Sequence, residues 1–589
     1  MNSSQRADGA VPGPRSGASG SGPAGDSPGS GGSGGQPGAG LSREPERNES
    51  GSKTSFRAAP PRWFLGLLAL AFLLAGVLAF DDYGLGWDDG TSRAATGQVN
   101  WNFVTRGVSK TLLEGNEKYH GPAYELFLLA LEKVLFLDDL RSIYQMRHLA
   151  MFLTFALAVA AFHDLARRLL ARPWSALAAS SILVLSPRIF AESFVNSKDL
   201  AFLSFSILAA WTLLRALEKP SAARLGLHAL AVAWLIDIRI LGVLHAAVTA
   251  AAFAVEALRG GRAAWPRWIA RSLLSLALCA GLVVLFWPVL WLGPWQHFRA
   301  ALQEMSQYHW EGLVLYAGER VRSTELPWHY LPCWIFVTTP LLYTALFGVG
   351  VARQCLWALE GLLRPGAAPD GGHQGLASRL ARLDTRWIAV AAFGFAPVLS
   401  VIALGSVVYD GWRHVYCVYP FLVLFAARGL EFLTEPGLLP RPVGRAILVV
   451  FAGNALVVGS QMAQSHPHQN VYFNEFAKAH WQPMGAHFEL DYWGVAYRQG
   501  LEAVLALKPR PQRIRVAARN YACKMNFSIL EAADRERLTY VESRAECDYY
   551  LSNFRRADAA EEDDPPEERK VHEIVVGGVP ILAVYRMGP

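Results

Sequence analysis

The chain has 589 residues, of which 52% are hydrophobic and 18% charged, with a formal net charge of +6 at pH 7. The apolar residues form long blocks, which excludes an ordinary soluble protein and predicts a polytopic α-helical membrane protein. The positive charges lie in short segments beside these blocks, so we expect membrane lipids as partners and no nucleic acid.

The N-terminal segment, residues 1–60, is rich in Gly, Ser and Pro and has almost no large apolar side chains. Such a segment cannot bury enough surface to offset its conformational entropy, so we predict a disordered tail. Lys53, Arg57 and Arg62 precede the first apolar run, residues 63–80. By the positive-inside rule these charges place the N-terminus in the cytoplasm.

The spans are predicted from apolar runs, and one run, 119–137, is an exception. It carries Glu125, Glu132 and Lys133, which favours an amphipathic helix on the membrane surface. If it does not cross the membrane, the arginine-rich loops become cytoplasmic and the C-terminus lies outside. The eleven predicted spans are 63–80, 144–165, 174–187, 200–217, 225–235, 238–258, 269–292, 328–351, 387–404, 415–430 and 446–462.

The C-terminal part, 466–589, has the shorter and more polar pattern of an external α/β domain, next to a membrane domain at 61–465. A helix is predicted at 501–507. Strands are predicted at 513–518, 538–541, 548–551, 573–576 and 581–585. Cys523 and Cys547 share this domain, and a disulfide between them is one alternative if it faces an oxidising compartment.

Two acidic pairs, Asp81-Asp82 and Asp88-Asp89, follow the first span. Carboxylates this close to lipid are costly unless they are solvated, paired, or bound to a metal or a cationic group. Two interpretations stay open, a solvated loop that caps the first helix and a functional site. The other external segments are 188–199, 293–327, which has a helical and partly aromatic pattern, and 409–414.

Several motifs in 60–465 resemble those of GT-C glycosyltransferases. The closest branch is that of protein O-mannosyltransferases and lipid A aminoarabinose transferases, so the chain resembles a bacterial family 39-like glycosyltransferase. Asp89 stands where that branch has Glu, and Gly121 where it has the first Pro of its surface-helix motif. The motifs are 87–95 (WDDGTSRAA), 118–124 (KYHGPAY), 186–199 and 410–420.

The resemblance implies a GT-C-like fold, with external juxtamembrane helices, in the multi-pass cell (inner) membrane. Its C-terminal domain would be periplasmic or extracellular. The implied activity is transfer of a sugar, with inversion, from a polyprenyl-phosphate donor to a lipid, glycan or protein acceptor on the outer face. Such chemistry needs a carboxylate base, for which Asp88 is the first candidate and Asp89 the second. It also needs groups that stabilise the leaving phosphate. Candidates for these are Arg413, His414, Lys198, His120 and Arg239.

Asp199 is the third catalytic candidate. It would bind a divalent metal together with Asp88, or orient the acceptor or a cation, and whether a metal takes part stays open. The alternative is that Asp199 only caps its helix. Arg239 has the alternative of pairing with Asp237, His120 that of an ordinary loop histidine, and Arg413 and His414 that of interfacial anchors.

Residues 466–494 include a run of aromatic and acidic side chains, FELDYWG at 488–494. The run either binds a sugar or packs the domain onto the membrane face, and packing is favoured. Two other classes of protein are alternatives to an enzyme. A lipid or glycan transporter would show discontinuous helices and charges within several spans. A non-catalytic membrane scaffold would bind a partner through its external domain.

Overall fold

The structure is a computed structural model that describes residues 59–306, 308, 310–363, 382–555 and 564–587. The predicted disordered tail lies outside the described residues except for its last two positions. In the described part, nine helices are long and apolar enough to cross a membrane. They are Arg62–Ala79, Leu140–Leu169, Asp199–Glu218, Ile240–Arg259, Arg262–Phe286, Leu341–Leu363, Thr385–Leu404, Arg413–Leu433 and Arg441–Gln464.

Two further predicted spans have a different form. One is a pair of helices, Pro173–Val184 and Pro187–Val195, bent by 61° at the break. The bend falls at Ser186, because the residue before a proline is disfavoured in the α conformation. The other is the shorter apolar helix Ala222–Ile236. The predicted class, a polytopic α-helical membrane protein, is confirmed.

The run at 328–351 was predicted as one span, and this is wrong. It forms a short helix, Tyr330–Val337, followed by the long helix Leu341–Leu363. The break lies at Thr338–Pro340, where a proline again limits the residue before it. The short helix carries Trp334 and Tyr330 into the core, both fully buried.

The predicted surface helix exists as Ala123–Val134. However, its acidic face is buried and its apolar face is exposed, the reverse of what was expected. Its twelve residues span about 18 Å, too short to cross a bilayer. Glu125 and Glu132, seven residues apart and so on one face, are buried in the protein. The exposed side carries Phe127 and Val134, 37% and 68% exposed. The acidic face points inward because a buried arginine pairs with both glutamates.

That partner is Arg147, on the helix Leu140–Leu169. Its guanidinium pairs with Glu125 and, at 3.1 Å, with Glu132. Arg93, from the segment after the first span, pairs with Glu132 at 2.9 Å, and Ser197 donates to Glu125 at 2.5 Å. A buried ion-pair network therefore fastens two loops and the short helix to a span.

The segment 293–327 was expected to have a helical, partly aromatic character, and its first half is helical. After the helix Pro294–Ser306 comes a hairpin of β1 (Leu313–Tyr316) and β2 (Glu319–Arg322). Ala317 and Gly318 at its turn both have positive φ. Further short helices are Trp87–Thr91, Ser92–Gln98 with wider π-type turns, Val99–Arg106, Ser109–Glu114, Glu475–His480, Ala522–Asn526 and Ala532–Arg535. Single 3-10 turns lie at Pro288–Leu292, Gln469–Val471, Met484–Ala486, Phe527–Ile529, Arg544–Glu546 and Glu567–Arg569.

The C-terminal part contains a five-stranded sheet and the helix Tyr497–Leu507, as its mixed pattern predicts. The strands are β3 (Ile514–Ala518), β4 (Leu538–Tyr540), β5 (Tyr549–Ser552), β6 (Lys570–Val576) and β7 (Val579–Arg586). Their order is β4-β3-β5-β7-β6, with β3 parallel to both neighbours and β7 antiparallel to both of its own. Cys523 and Cys547 are buried free thiols in different apolar clusters, so the disulfide alternative is not realised.

Candidate active site

A cavity of about 270 Å³ lies where the loop after the first span meets three later segments of the chain. Its apolar side chains come from 238–244, 302–305 and 401–408. Six of the eight residues predicted for the site line it, and they are Asp88, His120, Lys198, Arg239, Arg413 and His414. The chain thus brings together Asp88 and Arg413, which are 325 positions apart.

Asp88 and Asp89 point in different directions, because adjacent residues on a helix, here Trp87–Thr91, lie on different faces. Asp89 is buried and its Oδ2 accepts a hydrogen bond of 2.7 Å from the backbone N–H of Gly86. It therefore closes the N-terminal turn of the helix. Asp88 faces the cavity with 29% of its side chain exposed. Of the two candidate bases, only Asp88 reaches the space where a substrate would lie.

Arg413 is the centre of the polar group. Its Nη1 lies 3.2 Å from Asp88 Oδ2 and 3.3 Å from Asp199 Oδ2. Its Nη2 lies 3.3 Å from Asp410 Oδ2. The side chain is almost fully buried, so these ion pairs are screened little by water. Arg413 therefore bridges three carboxylates inside the protein, unlike an arginine that anchors a helix at the membrane interface.

Asp199 lies behind the cavity and holds two arginines. It pairs with Arg239 through Oδ1 and with Arg413 through Oδ2. Its own N–H donates to Asn196 Oδ1 at 2.7 Å, so Asn196 supplies the local turn contact expected of Asp199. Asp199 therefore orients cations that face the cavity.

Asp237 does not pair with Arg239, contrary to one alternative. It is fully buried, and neither carboxylate oxygen has a hydrogen-bond partner among the described residues. Burial raises the pKa of Asp237 well above its usual value, which favours the protonated acid.

A second ionic cluster in the cavity is centred on Glu117. Its Oε2 lies 3.0 Å from His120 Nδ1 and 3.5 Å from Lys198 Nζ. Burial opposes ionisation of Glu117, but the hydrogen bond from His120 and the charge of Lys198 lower its pKa to about 2. The pKa of His120 is lowered by burial and by Lys198, so its imidazole is neutral at pH 7. Tyr308 stands edge-on to His120, with ring centroids 5.8 Å apart.

The charge state of Asp88 follows from the cations around it. Burial alone would raise its pKa, but Arg413, Lys198 and Arg239 outweigh burial and lower the pKa below its usual value. Asp88 is therefore ionised at neutral pH. A carboxylate in this state can accept a proton.

The predicted metal ligands, Asp88 and Asp199, do not fit a shared divalent ion. The Nη1 atom of Arg413 bonds both carboxylates, at 3.2 and 3.3 Å, and so takes the position of a bridging cation. Within the described ranges no three His, Cys, Asp or Glu side chains are grouped as metal ligands.

No model of a known protein family matches the chain, and no curated protein matches it in sequence. Among solved structures, ArnT from Cupriavidus metallidurans bound to undecaprenyl phosphate is similar with TM-score 0.45 and 11% identity, over 89% of this chain and 98% of that one. AglB, the archaeal oligosaccharyltransferase from Archaeoglobus fulgidus, has TM-score 0.46 and 12% identity, over 83% and 70%. The arabinofuranosyltransferase AftD from Mycobacteria has TM-score 0.39 and 12% identity, over 90% and 40%.

The structure adds residues that the sequence left unassigned. Glu117 lines the cavity and lies three positions before His120, which was its only signal in the sequence. Tyr308 and Tyr409 also line it. Asp410 begins the motif that contains Arg413, but its ion pair with that arginine is visible only in three dimensions.

Proposed function

We propose that the protein is a membrane glycosyltransferase that moves a sugar from a polyprenyl-phosphate donor to a hydroxyl of a lipid, glycan or protein acceptor. The observation that carries the proposal is the ionised Asp88 at the cavity, paired with Arg413 and close to Lys198 and Arg239. A base and cationic groups in one cavity are the two requirements of this reaction.

The reaction begins at the acceptor. Asp88 takes the proton of the acceptor hydroxyl as its oxygen attacks the anomeric carbon of the donor sugar. The bond from that carbon to the phosphate oxygen breaks on the opposite face, so the configuration inverts. The product is the glycosylated acceptor, and polyprenyl phosphate leaves.

The leaving phosphate gains negative charge as the bond breaks. Lys198, Arg239 and Arg413 line the same cavity and would stabilise that charge. His414 would donate a hydrogen bond to it, whereas His120 contacts Glu117 through Nδ1 and holds that carboxylate in place. The polyprenyl chain needs an apolar surface, which the side chains of 238–244 and 401–408 provide.

The test uses the full chain in lipid nanodiscs with a panel of polyprenyl-phosphate sugars and candidate acceptors. Release of polyprenyl phosphate is followed for the native protein and for Asp88→Asn. We expect turnover in the native protein and a loss on the order of 10²- to 10⁴-fold in the variant, as for removal of a general base.

Asp82→Asn is the matched control. It changes a carboxylate of the same loop whose side chain is 54% exposed and pairs with His466 instead of facing the cavity. It should retain native turnover. Absence of turnover with every donor and acceptor, in protein that is folded, would contradict the proposed function. Equal loss in Asp82→Asn and Asp88→Asn would remove Asp88 as the base.

A further inference from the structure

The turn before Arg413 has an unusual backbone. Asp410 and Gly411 both have positive φ, 57° and 71°. This conformation is ordinary for glycine and costly for Asp, so it persists only where neighbours hold it. The N–H of Gly411 donates to Tyr330 Oη at 3.0 Å, and the Asp410 carboxylate is clamped between two arginines.

One of these arginines is Arg413, and the other, Arg555, comes from the C-terminal part. Arg555 Nη2 lies 2.5 Å from Asp410 Oδ1, and its Nη1 donates to the carbonyl of Tyr492 at 2.8 Å. The side chain of Arg555 is 14% exposed and does not line the cavity. It therefore joins the FELDYWG run to the turn that carries Arg413.

Trp493, in the same run, makes the second contact. The guanidinium of Arg413 stands over its ring, 4.8 Å from the centroid. The indole Nε1 donates to both oxygens of the buried Glu192 at 3.0 Å, and Tyr492 donates to Glu192 at 2.7 Å. The hydrogen bonds to Glu192 thus fix the indole ring in the position from which it contacts Arg413.

The charges of this group balance. Arg239, Arg413 and Arg555 face Asp88, Asp199 and Asp410 through the ion pairs described above. Without Arg555 the group would have one excess negative charge. Asp410 would then draw Arg413 away from Asp88, and the cavity would attract an anionic donor less strongly.

We propose that Arg555 and Trp493 are positioning residues through which the C-terminal segment holds Arg413 against Asp88. From the sequence, the FELDYWG run could either bind a sugar or pack the domain. In this proposal it serves the reaction by packing, and it does not line the cavity. This inference rests on the proposed function, because its effect is read in the transfer reaction.

The experiment compares the full chain in nanodiscs with Arg555→Met and with the double variant Asp410→Asn/Arg555→Met. Arg555→Met should lower kcat/KM for the donor by about tenfold to a hundredfold, mainly through KM, because a displaced binding group weakens donor recognition. The double variant restores the charge balance and should recover most of that loss. A loss of folded protein alone would lower the unfolding temperature and leave KM of the folded fraction unchanged, so thermal stability is measured for each variant.

Arg515→Met is the matched control. Arg515 lies on β3 of the C-terminal sheet, pairs with Asp548 and is 55% exposed. Its kcat/KM should equal the native value. Trp493→Phe keeps a ring over Arg413 and should lose less activity than Trp493→Leu.

Native kcat/KM in Arg555→Met would overturn the inference and leave the proposed function intact. Equal loss in the single and double variants, at equal thermal stability, would also overturn it. Absence of turnover in the native protein would instead remove the proposed function, and this inference with it.

Discussion

The guanidinium Nη1 of Arg413 lies 3.2 Å from the carboxylate Oδ2 of Asp88. The pair joins the loop after the first span to the turn before a late span, and it places a permanent positive charge beside the proposed base. Two consequences follow, one for the ionisation of Asp88 and one for the use of a metal.

The acidic limb of the pH profile should depend on the cations around Asp88. Its pKa is lowered by Arg413, Lys198 and Arg239 against the opposing effect of burial, so the active carboxylate persists to acidic pH. Arg239→Met removes one of these charges and should raise the pKa of Asp88. The acidic limb of kcat/KM then moves to higher pH, whereas Arg267→Met, at an exposed position, leaves it in place. A limb that stays or moves to lower pH in Arg239→Met would contradict this assignment.

Chelators should have no effect on turnover. Arg413 stands between Asp88 and Asp199, where a bridging metal would bind, and supplies the positive charge there. Turnover measured with EDTA, and again with added Mg²⁺, Mn²⁺ or Zn²⁺, should stay within about twofold of the untreated value, an interval that corresponds to about 0.4 kcal/mol. Loss of activity in EDTA that one of these ions restores would show that the conclusion from Arg413 is wrong.

Asp89→Asn should retain activity, in contrast to Asp88→Asn. Burial raises the pKa of Asp89 to about 8, although the Gly86 hydrogen bond and Arg147 oppose it, so the side chain is neutral at pH 7. Asparagine has the same shape and can accept the same hydrogen bond from Gly86. We expect kcat within about threefold of native, a difference of less than about 1 kcal/mol. If both variants lose activity equally, the division of roles within the acidic pair is wrong.

Arg147→Met should destabilise the protein strongly. It leaves Glu125 and Glu132 buried, with only Arg93 and Ser197 as described partners. Removal of one member of a buried ion pair costs about 3–5 kcal/mol. The unfolding temperature in detergent should therefore fall clearly, while Arg167→Met, at an exposed site on the same helix, leaves it unchanged. Equal unfolding temperatures of the two variants would show that the network contributes little.

Several elements followed from the sequence because their cause is local. Apolar runs long enough for a bilayer predicted most of the spanning helices, and the alternation of residues after 512 predicted the strands of the C-terminal sheet. The broken run at 328–351 was misjudged because hydropathy does not register the restriction that Pro340 places on the residue before it. The inward face of 123–134 was misjudged because its partner, Arg147, lies on another helix.

The sequence by itself determined a membrane protein with many helical spans, the short segments between them, and the candidate residues on those segments, since length, hydropathy and motif order are properties of neighbouring residues. Only the tertiary structure decided that Asp88 faces the cavity while Asp89 caps a helix, and that Asp199 holds two arginines. It also decided that Arg555 reaches the turn before Arg413. Apart from the helix cap, these contacts join residues that are tens to hundreds of positions apart, and the packing of the helices determines which buried charges meet.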